Sequence, residues 1–139
     1  MLKIKLDEGA KMPTRAHEWD GGLDIYSRDT RLIPGRGRAV FNTGVHMAIP
    51  KGFVGLIKTK SGMNIKDDLH CEGVVDSGYT GSIVVKLDNT QDNEYLVRAG
   101  EKIAQIVICP VWLPHQILRV DDLDETERGD RGFGSTGRA

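Results

Sequence analysis

The sequence predicts an all-β fold, an antiparallel sandwich or jelly roll, on three observations. Runs of strand length recur at spacings of about ten residues. Turn residues separate them, 17 glycines above all. Few windows hold the period of an amphipathic helix. Residues 1–6 open the series, with Leu2, Ile4 and Leu6 alternating against Lys3 and Lys5. Further runs follow at 23–26, 38–41, 45–49, 53–58, 82–87, 103–111 and 116–120, each bounded by Gly, Pro, Asn or Asp. The run at 82–87 has the cleanest period of two: Ile83, Val85 and Leu87 alternate with Ser82, Val84, Lys86 and Asp88, as in a strand with one buried face.

A chain of 139 residues falls in the single-domain range. With 19 basic against 20 acidic residues the formal net charge is −1, so no global field draws it to nucleic acid or to an anionic membrane. Any anion it binds must be held locally. Cys71 and Cys109 fit neither a disulfide framework nor a zinc spacing, and are expected to be reduced thiols. The four histidines are scattered, with no metal-ligand pattern. Neither a charged-then-apolar leader nor a run of 18 apolar residues is present, which gives the expectation of a cytoplasmic protein, in a cellular, nuclear or viral setting.

The stretch Gly73-Val74-Val75-Asp76-Ser77-Gly78-Tyr79-Thr80-Gly81-Ser82-Ile83 is the most informative. It places one carboxylate and one aromatic ring on a glycine-rich hairpin between two strand-like runs. Such a turn lets backbone N–H and C=O groups approach a flat ligand closely. Taken alone, it is equally a surface turn with Asp and Gly where turn chemistry wants them.

Four more segments stand around it: Gly21-Gly22-Leu23-Asp24-Ile25, Lys60-Ser61-Gly62-Met63, Gly100-Glu101-Lys102-Ile103-Ala104-Gln105 and Arg128-Gly129-Asp130-Arg131-Gly132-Phe133-Gly134-Ser135-Thr136-Gly137. In their order and spacing the five resemble the trimeric dUTPases from Gly21 to Gly137. The resemblance implies a distorted jelly roll over residues 1–127, a glycine-rich lid over 128–139, and a homotrimer with shared sites. The implied activity is hydrolysis of dUTP to dUMP and pyrophosphate by attack of water on the α-phosphorus. A carboxylate in hydrogen-bond reach takes the proton from that water, and Asp76 occupies the family's general-base position. The base-contacting backbone maps onto Val74, Val75 and Val84, and Tyr79 onto the ring under the deoxyribose, where a 2′-hydroxyl would clash.

Lys60, Ser61, Gly62, Gln105 and Arg128 match the phosphate-binding positions. Lys60 stands where arginine is usual, which keeps the charge and loses the planar fork. Gln105 sits in its run with Ile103, Val107 and Cys109 on its own face, where a polar residue needs a partner. Phe133 matches the aromatic that stacks on uracil when the tail closes, Gly134 frees the backbone beside it, and Ser135 and Thr136 match positions facing the terminal phosphate. Arg131 departs from the common glycine and is expected to point outward. Mg²⁺ enters with the triphosphate, and Asp24 is the nearby carboxylate holding a metal water.

Plainer roles stay open at this level. Asp24 also reads as a turn-ending residue, Arg128 as a solvated charge, and the tail as a floppy terminus or an arginine-glycine segment touching nucleic acid. Two rivals share the fold. A dCTP deaminase needs a glutamate where this chain has Lys86, and a tryptophan where it has Tyr79. A nucleotide sensor without catalysis would gain from losing Asp76.

Overall fold

The computed structural model describes residues 1–137. Eleven strands and one short helix are seen among them: β1 (Lys3–Leu6), β2 (Gly22–Tyr26), β3 (Arg31–Ile33), β4 (Arg38–Asn42), β5 (Val45–Ala48), β6 (Phe53–Lys58), α1 (Ser61–Asp67), β7 (Leu69–His70), β8 (Glu72–Val75), β9 (Val84–Asn89), β10 (Tyr95–Val97) and β11 (Lys102–Pro110). They build a distorted jelly roll from a four-stranded sheet in the order β2-β11-β6-β8 and a three-stranded sheet in the order β4-β9-β7. Two ribbons, β1-β5 and β3-β10, close its flanks. Every pairing is antiparallel.

One apolar cluster fills the space between the layers, with Ile25, Phe41, Leu69, Leu87, Ile103 and Ile106 almost fully buried. The alternation read from residues 82–87 is realised: Ile83, Val85 and Leu87 are buried, while Val84 and Lys86 are exposed. Cys71 and Cys109 are both free thiols. No helix among the described residues is long and apolar enough to cross a membrane.

The secondary structure departs from the sequence reading in four places. Residues 116–120 form no strand; Ile117 and Leu118 stand 89% and 75% exposed, with no neighbouring strand to pair with. β3 and β10 were not foreseen, because three residues are too few to display a period and the two are ordered by pairing with each other. α1 was not foreseen either: no residue in it is buried, so it carries no apolar stripe. Its chain turns out of the helix at Asp68, whose φ of 47° an aspartate tolerates. Finally, β8 and β9 are not a hairpin ladder. β8 belongs to the four-stranded sheet and β9 to the other, so residues 76–83 cross from layer to layer.

The turn at residues 34–37 packs tightly on the turn after β9. Asn89 Nδ2 donates to Asn93 O at 2.9 Å and to Pro34 O at 3.2 Å, and Arg36 N donates to Gln91 O at 2.8 Å. A Cβ on Gly35 would lie 2.5 Å from the Asp92 carbonyl carbon, so backbone must move to admit it. Gly35→Ala is expected to cost roughly 2 kcal/mol or more. Thermal unfolding should show a drop of roughly 5 °C or more, and an unchanged transition would contradict this packing.

Candidate active site

β8 is the edge of its sheet, hydrogen-bonded to β6 on one side only. β9 is paired with β4 through Val84, but β7 covers its other side only at Asp88 and Asn89. Two strands therefore face each other with unpaired backbone groups, and the crossing segment spans them. Between them lies a cleft of about 240 Å³ lined by Ile57, Gly73, Val74, Val75, Asp76, Tyr79, Ile83 and Val84. Val75 is buried in its floor, while Val74 and Val84 are 66% and 50% exposed along its rim.

Asp76 begins a turn closed by Tyr79 N donating to Asp76 O at 3.0 Å, which leaves its side chain exposed. Among the described residues its carboxylate has no ion pair. The Tyr79 ring folds back over the turn, with its hydroxyl donating to Ser82 O at 2.8 Å. Gly81 makes this possible, since a Cβ there would meet the Tyr79 hydroxyl at 2.5 Å.

A second cluster forms around the middle of β2, beside the end of β6 and the first half of β11. Asp24 on β2 is 4% exposed, and across the ladder it faces Gln105 of β11. Lys60 binds its Oδ1, and Lys102 Nζ lies 2.7 Å from its Oδ2. Oδ2 is itself enclosed, and this ion pair is its one polar contact among the described residues. Burial opposes ionisation of Asp24 most strongly. The two ammonium groups together outweigh it and hold the carboxyl below the ordinary range. The same contact raises the Lys102 ammonium above its ordinary value. Lys102 was not singled out as a site residue; its signal was a cation one strand over from a carboxylate that alternation buries.

Gln105 donates from Nε2 to Thr59 O at 3.2 Å, the partner its setting called for. Its setting also differs from the sequence reading. A bulge between Lys102 and Ala104 turns Ile103 into the core, so Gln105 shares its half-buried outer face with Val107 and Cys109 only. Gly22 supplies the room, since a Cβ there would collide with the Gln105 amide. Ser61 and Gly62 open the first turn of α1, exposed beside this cluster, with N–H groups that have no intrahelical partner. A recess of about 320 Å³ joins Ser61 and Gln105 to Thr59, Asn64 and His70.

The tail lies apart from both clusters. Residues 111–137 form no strand or helix, and Phe133 is fully exposed at a φ of 49°. Arg128 Nε donates to Arg131 O at 2.8 Å, and Arg131 Nε returns the bond to Arg128 O at 3.1 Å. Arg131 is thus engaged with its own segment and not simply pointed outward. Ser135 and Thr136 line a shallow groove with these two arginines, and Gly134 takes a φ of 92°. The last two positions of the 128–139 segment fall outside the described residues.

One chain does not unite the three pieces. Gly55 of β6 pairs with Val75, and Lys58 with Glu72, so Asp76 and Lys60 leave the ladder at opposite ends. Five residues of extended strand between Gly55 and Lys60 span roughly 16 Å. No cluster of three or more His, Cys, Asp or Glu able to hold a metal exists among the described residues. The donor set does not fit an ion caged by protein; it fits a hydrated ion brought in by its own ligand, with Asp24 as the nearby carboxylate once a metal water displaces Lys102 from the enclosed Oδ2.

A dUTPase family model matches residues 8–137. The deoxyuridine 5'-triphosphate nucleotidohydrolase of Corynebacterium efficiens is 43% identical, over 97% of this chain and 76% of its own length. That of Eremothecium gossypii is 38% identical over 98% and 90%. Among solved structures, the Staphylococcus bacteriophage 80alpha dUTPase with dUpNHpp superposes with a TM-score of 0.93 at 33% identity, covering 99% of both chains. A mutant dUTPase from phage phi11 of S. aureus, solved to show the coordination of a structural Mg(II) ion, gives 0.82 at 31% identity over 88% of this chain and 97% of its own. The cleft between two sheet edges, the separate cluster around a buried acid and this likeness along nearly the whole chain lead to one conclusion: the chain belongs to the dUTPase family.

Proposed function

We propose that this chain hydrolyses dUTP to dUMP and pyrophosphate, removing a precursor of uracil in DNA and supplying dUMP from the cytoplasmic nucleotide pool. The observation that carries the reading is the cleft itself, with two free backbone edges facing each other and Asp76 at the mouth. Uracil offers acceptor, donor and acceptor along its pairing edge, and cytosine inverts two of the three. Backbone N–H and C=O groups of Val74, Val75 and Val84 are fixed in polarity, so the wrong base leaves buried groups unpaired, a penalty of around 10⁴-fold or more. The valine side chains restrict the room left for a thymine methyl. The Tyr79 ring, locked by its bond to Ser82, forms a flat floor for a deoxyribose lacking a 2′-hydroxyl.

At the α-phosphorus Asp76 accepts a proton from water as the new P–O bond forms. The bond to the β-phosphate oxygen breaks, and pyrophosphate leaves with that electron pair. Lys60, Ser61, Gly62 and Gln105 hold the phosphates, with Lys102 positioning Asp24. Mg²⁺ on the triphosphate would neutralise charge, with Asp24 holding one of its waters. Arg128, Phe133, Gly134, Ser135 and Thr136 close over the nucleotide.

The placement of Asp76 and Lys60 at opposite ends of one ladder supports a homotrimer whose sites are shared. The bare side chains of Trp112, Ile117, Leu118 and Leu123, 75–89% exposed, support a neighbouring copy as their cover. Lys86 argues against deamination. It is exposed on β9, outside the cleft, and pairs with Asp88 at 3.1 Å. Turnover of dUTP, dCTP, dTTP and UTP side by side, reading both pyrophosphate and ammonia, tests the proposal. Pyrophosphate from dUTP alone is expected; ammonia from dCTP, or no turnover at all, would overturn it.

A further inference from the structure

We propose that His46 is a positioning residue for this reaction: as an imidazolium it straps the Thr80 carbonyl to Asp7, and thereby sets the pose of the loop bearing Asp76 and Tyr79. The proposal rests on the roles given to those two residues above. Its basis is how little else holds the loop. The far end is well anchored: Ile83 N donates to Val45 O at 2.8 Å, Thr43 Oγ1 donates to Ile83 O at 2.7 Å, and Gly44 N donates to Ser82 Oγ at 3.0 Å. From Asp76 to Gly81 the other bonds stay within the loop region, Tyr79 N to Asp76 O and the Tyr79 hydroxyl to Ser82 O. Among the described residues, the single tie from this stretch to another element is His46 Nδ1 to Thr80 O, at 2.8 Å. With Gly78 and Gly81 in the stretch, the backbone has freedom that only such a tie removes.

The opposite ring nitrogen, Nε2, lies 3.1 Å from Asp7 Oδ1. Both partners are acceptors, a carbonyl and a carboxylate. A neutral imidazole donates from one nitrogen only, so one contact must then face a lone pair with an acceptor oxygen. The doubly protonated ring satisfies both. The side chain is largely enclosed, at 19% exposure, whereas Asp7 is 37% exposed and screened by solvent. The Thr80 bond is therefore the heavier half of the strap.

Other charges bear on the ring. Lys5 sits opposite His46 in the β1-β5 ladder and disfavours the cation, and Lys3 lines the same groove of about 230 Å³. Arg28 lies 4.0 Å from Asp7 Oδ2 and competes for that carboxylate. The bond to Thr80 first, and then Asp7, still raise the imidazole above its ordinary value. A raised group holds its bonds fully below the unfolded value of about 6.5 and loses them as pH rises through the folded value. In mild acid the ring donates to both partners; on the alkaline side one ring proton remains, the charge-assisted bond to the Asp7 carboxylate competes for it, and the tie to Thr80 weakens.

The test reads two quantities at about pH 6 and about pH 9: kcat/KM for dUTP, and hydrogen-exchange protection of the Tyr79 amide in the nucleotide-free protein, corrected for intrinsic rates. In the wild type, protection should fall roughly three- to ten-fold across this range, the worth of one hydrogen bond. H46A should show the low protection at both values, and a kcat/KM reduced by a similar factor at the lower pH only. H46N, whose amide can reach Thr80 but does not titrate, should keep protection and lose its pH dependence. D7N should move the wild-type transition to lower pH. Wild-type protection in H46A, or a persisting transition in H46N, would overturn the strap. Should H46A not fold, H46N and D7N decide alone. A wild type inert toward dUTP overturns the function proposed above, while the exchange measurement still judges the strap.

Discussion

Asp76→Asn is expected to lower kcat for dUTP by roughly 10² or more, the share of a positioned general base. The substitution is close to isosteric. The Asp76 side chain is exposed and has no ion pair among the described residues, so its amide leaves no buried group orphaned. The turn depends on the backbone bond from Tyr79 N to Asp76 O, which the variant retains. Thermal unfolding and dUMP affinity should stay close to those of the wild type. The loss then belongs to proton transfer and appears in kcat and kcat/KM alike. Single-turnover kinetics with unfolding as the control would check this, and near wild-type turnover would remove Asp76 from the general-base role.

Deletion of every residue after Glu127 should cut kcat by a comparable or larger factor while barely changing dUMP binding. Phe133 lies fully exposed between Gly132 and Gly134, and among the described residues Arg128 and Arg131 bond only their own segment. Closing about ten such residues over a nucleotide costs on the order of 1 kcal/mol or more each in conformational entropy, so many contacts must offset it. A triphosphate with Mg²⁺ offers them; dUMP does not. A non-hydrolysable dUTP analogue with Mg²⁺ should therefore shield the tail from protease where dUMP leaves it open. Mixing Asp76→Asn chains with tail-deleted chains adds a test of shared sites, because mixed assemblies should regain activity that neither parent has. Full activity without the tail, or equal shielding by dUMP, would leave Phe133 an ordinary exposed aromatic.

Much of the site was legible because its residues are local in the chain. Asp76, Tyr79, Val74, Val75 and Val84 fall within eleven consecutive residues, and the structure gathers all five in one cleft. Alternation placed β9 correctly, since burying one face of a strand leaves a direct mark on residue order. Residues 116–120 carry an apolar pattern but pair with no strand among the described residues, so pattern alone suggested a pairing that the fold does not make. β3 and β10 show the reverse case, too short to leave a pattern yet ordered by each other.

What the sequence by itself determined was composition, motif order and the period of the long strands, and with them an all-β family member. Those are properties of neighbours along the chain. Only the tertiary structure decided that residues 76–83 cross between sheets, that a bulge turns Ile103 inward beside Gln105, and that Lys60 and Lys102 converge on a buried Asp24. Only it placed Asp76 and Lys60 at opposite ends of one ladder and His46 against Thr80. Each of these joins segments from 34 to 78 residues apart or hangs on a strand register, and a register is chosen by the whole packed core rather than by any one segment.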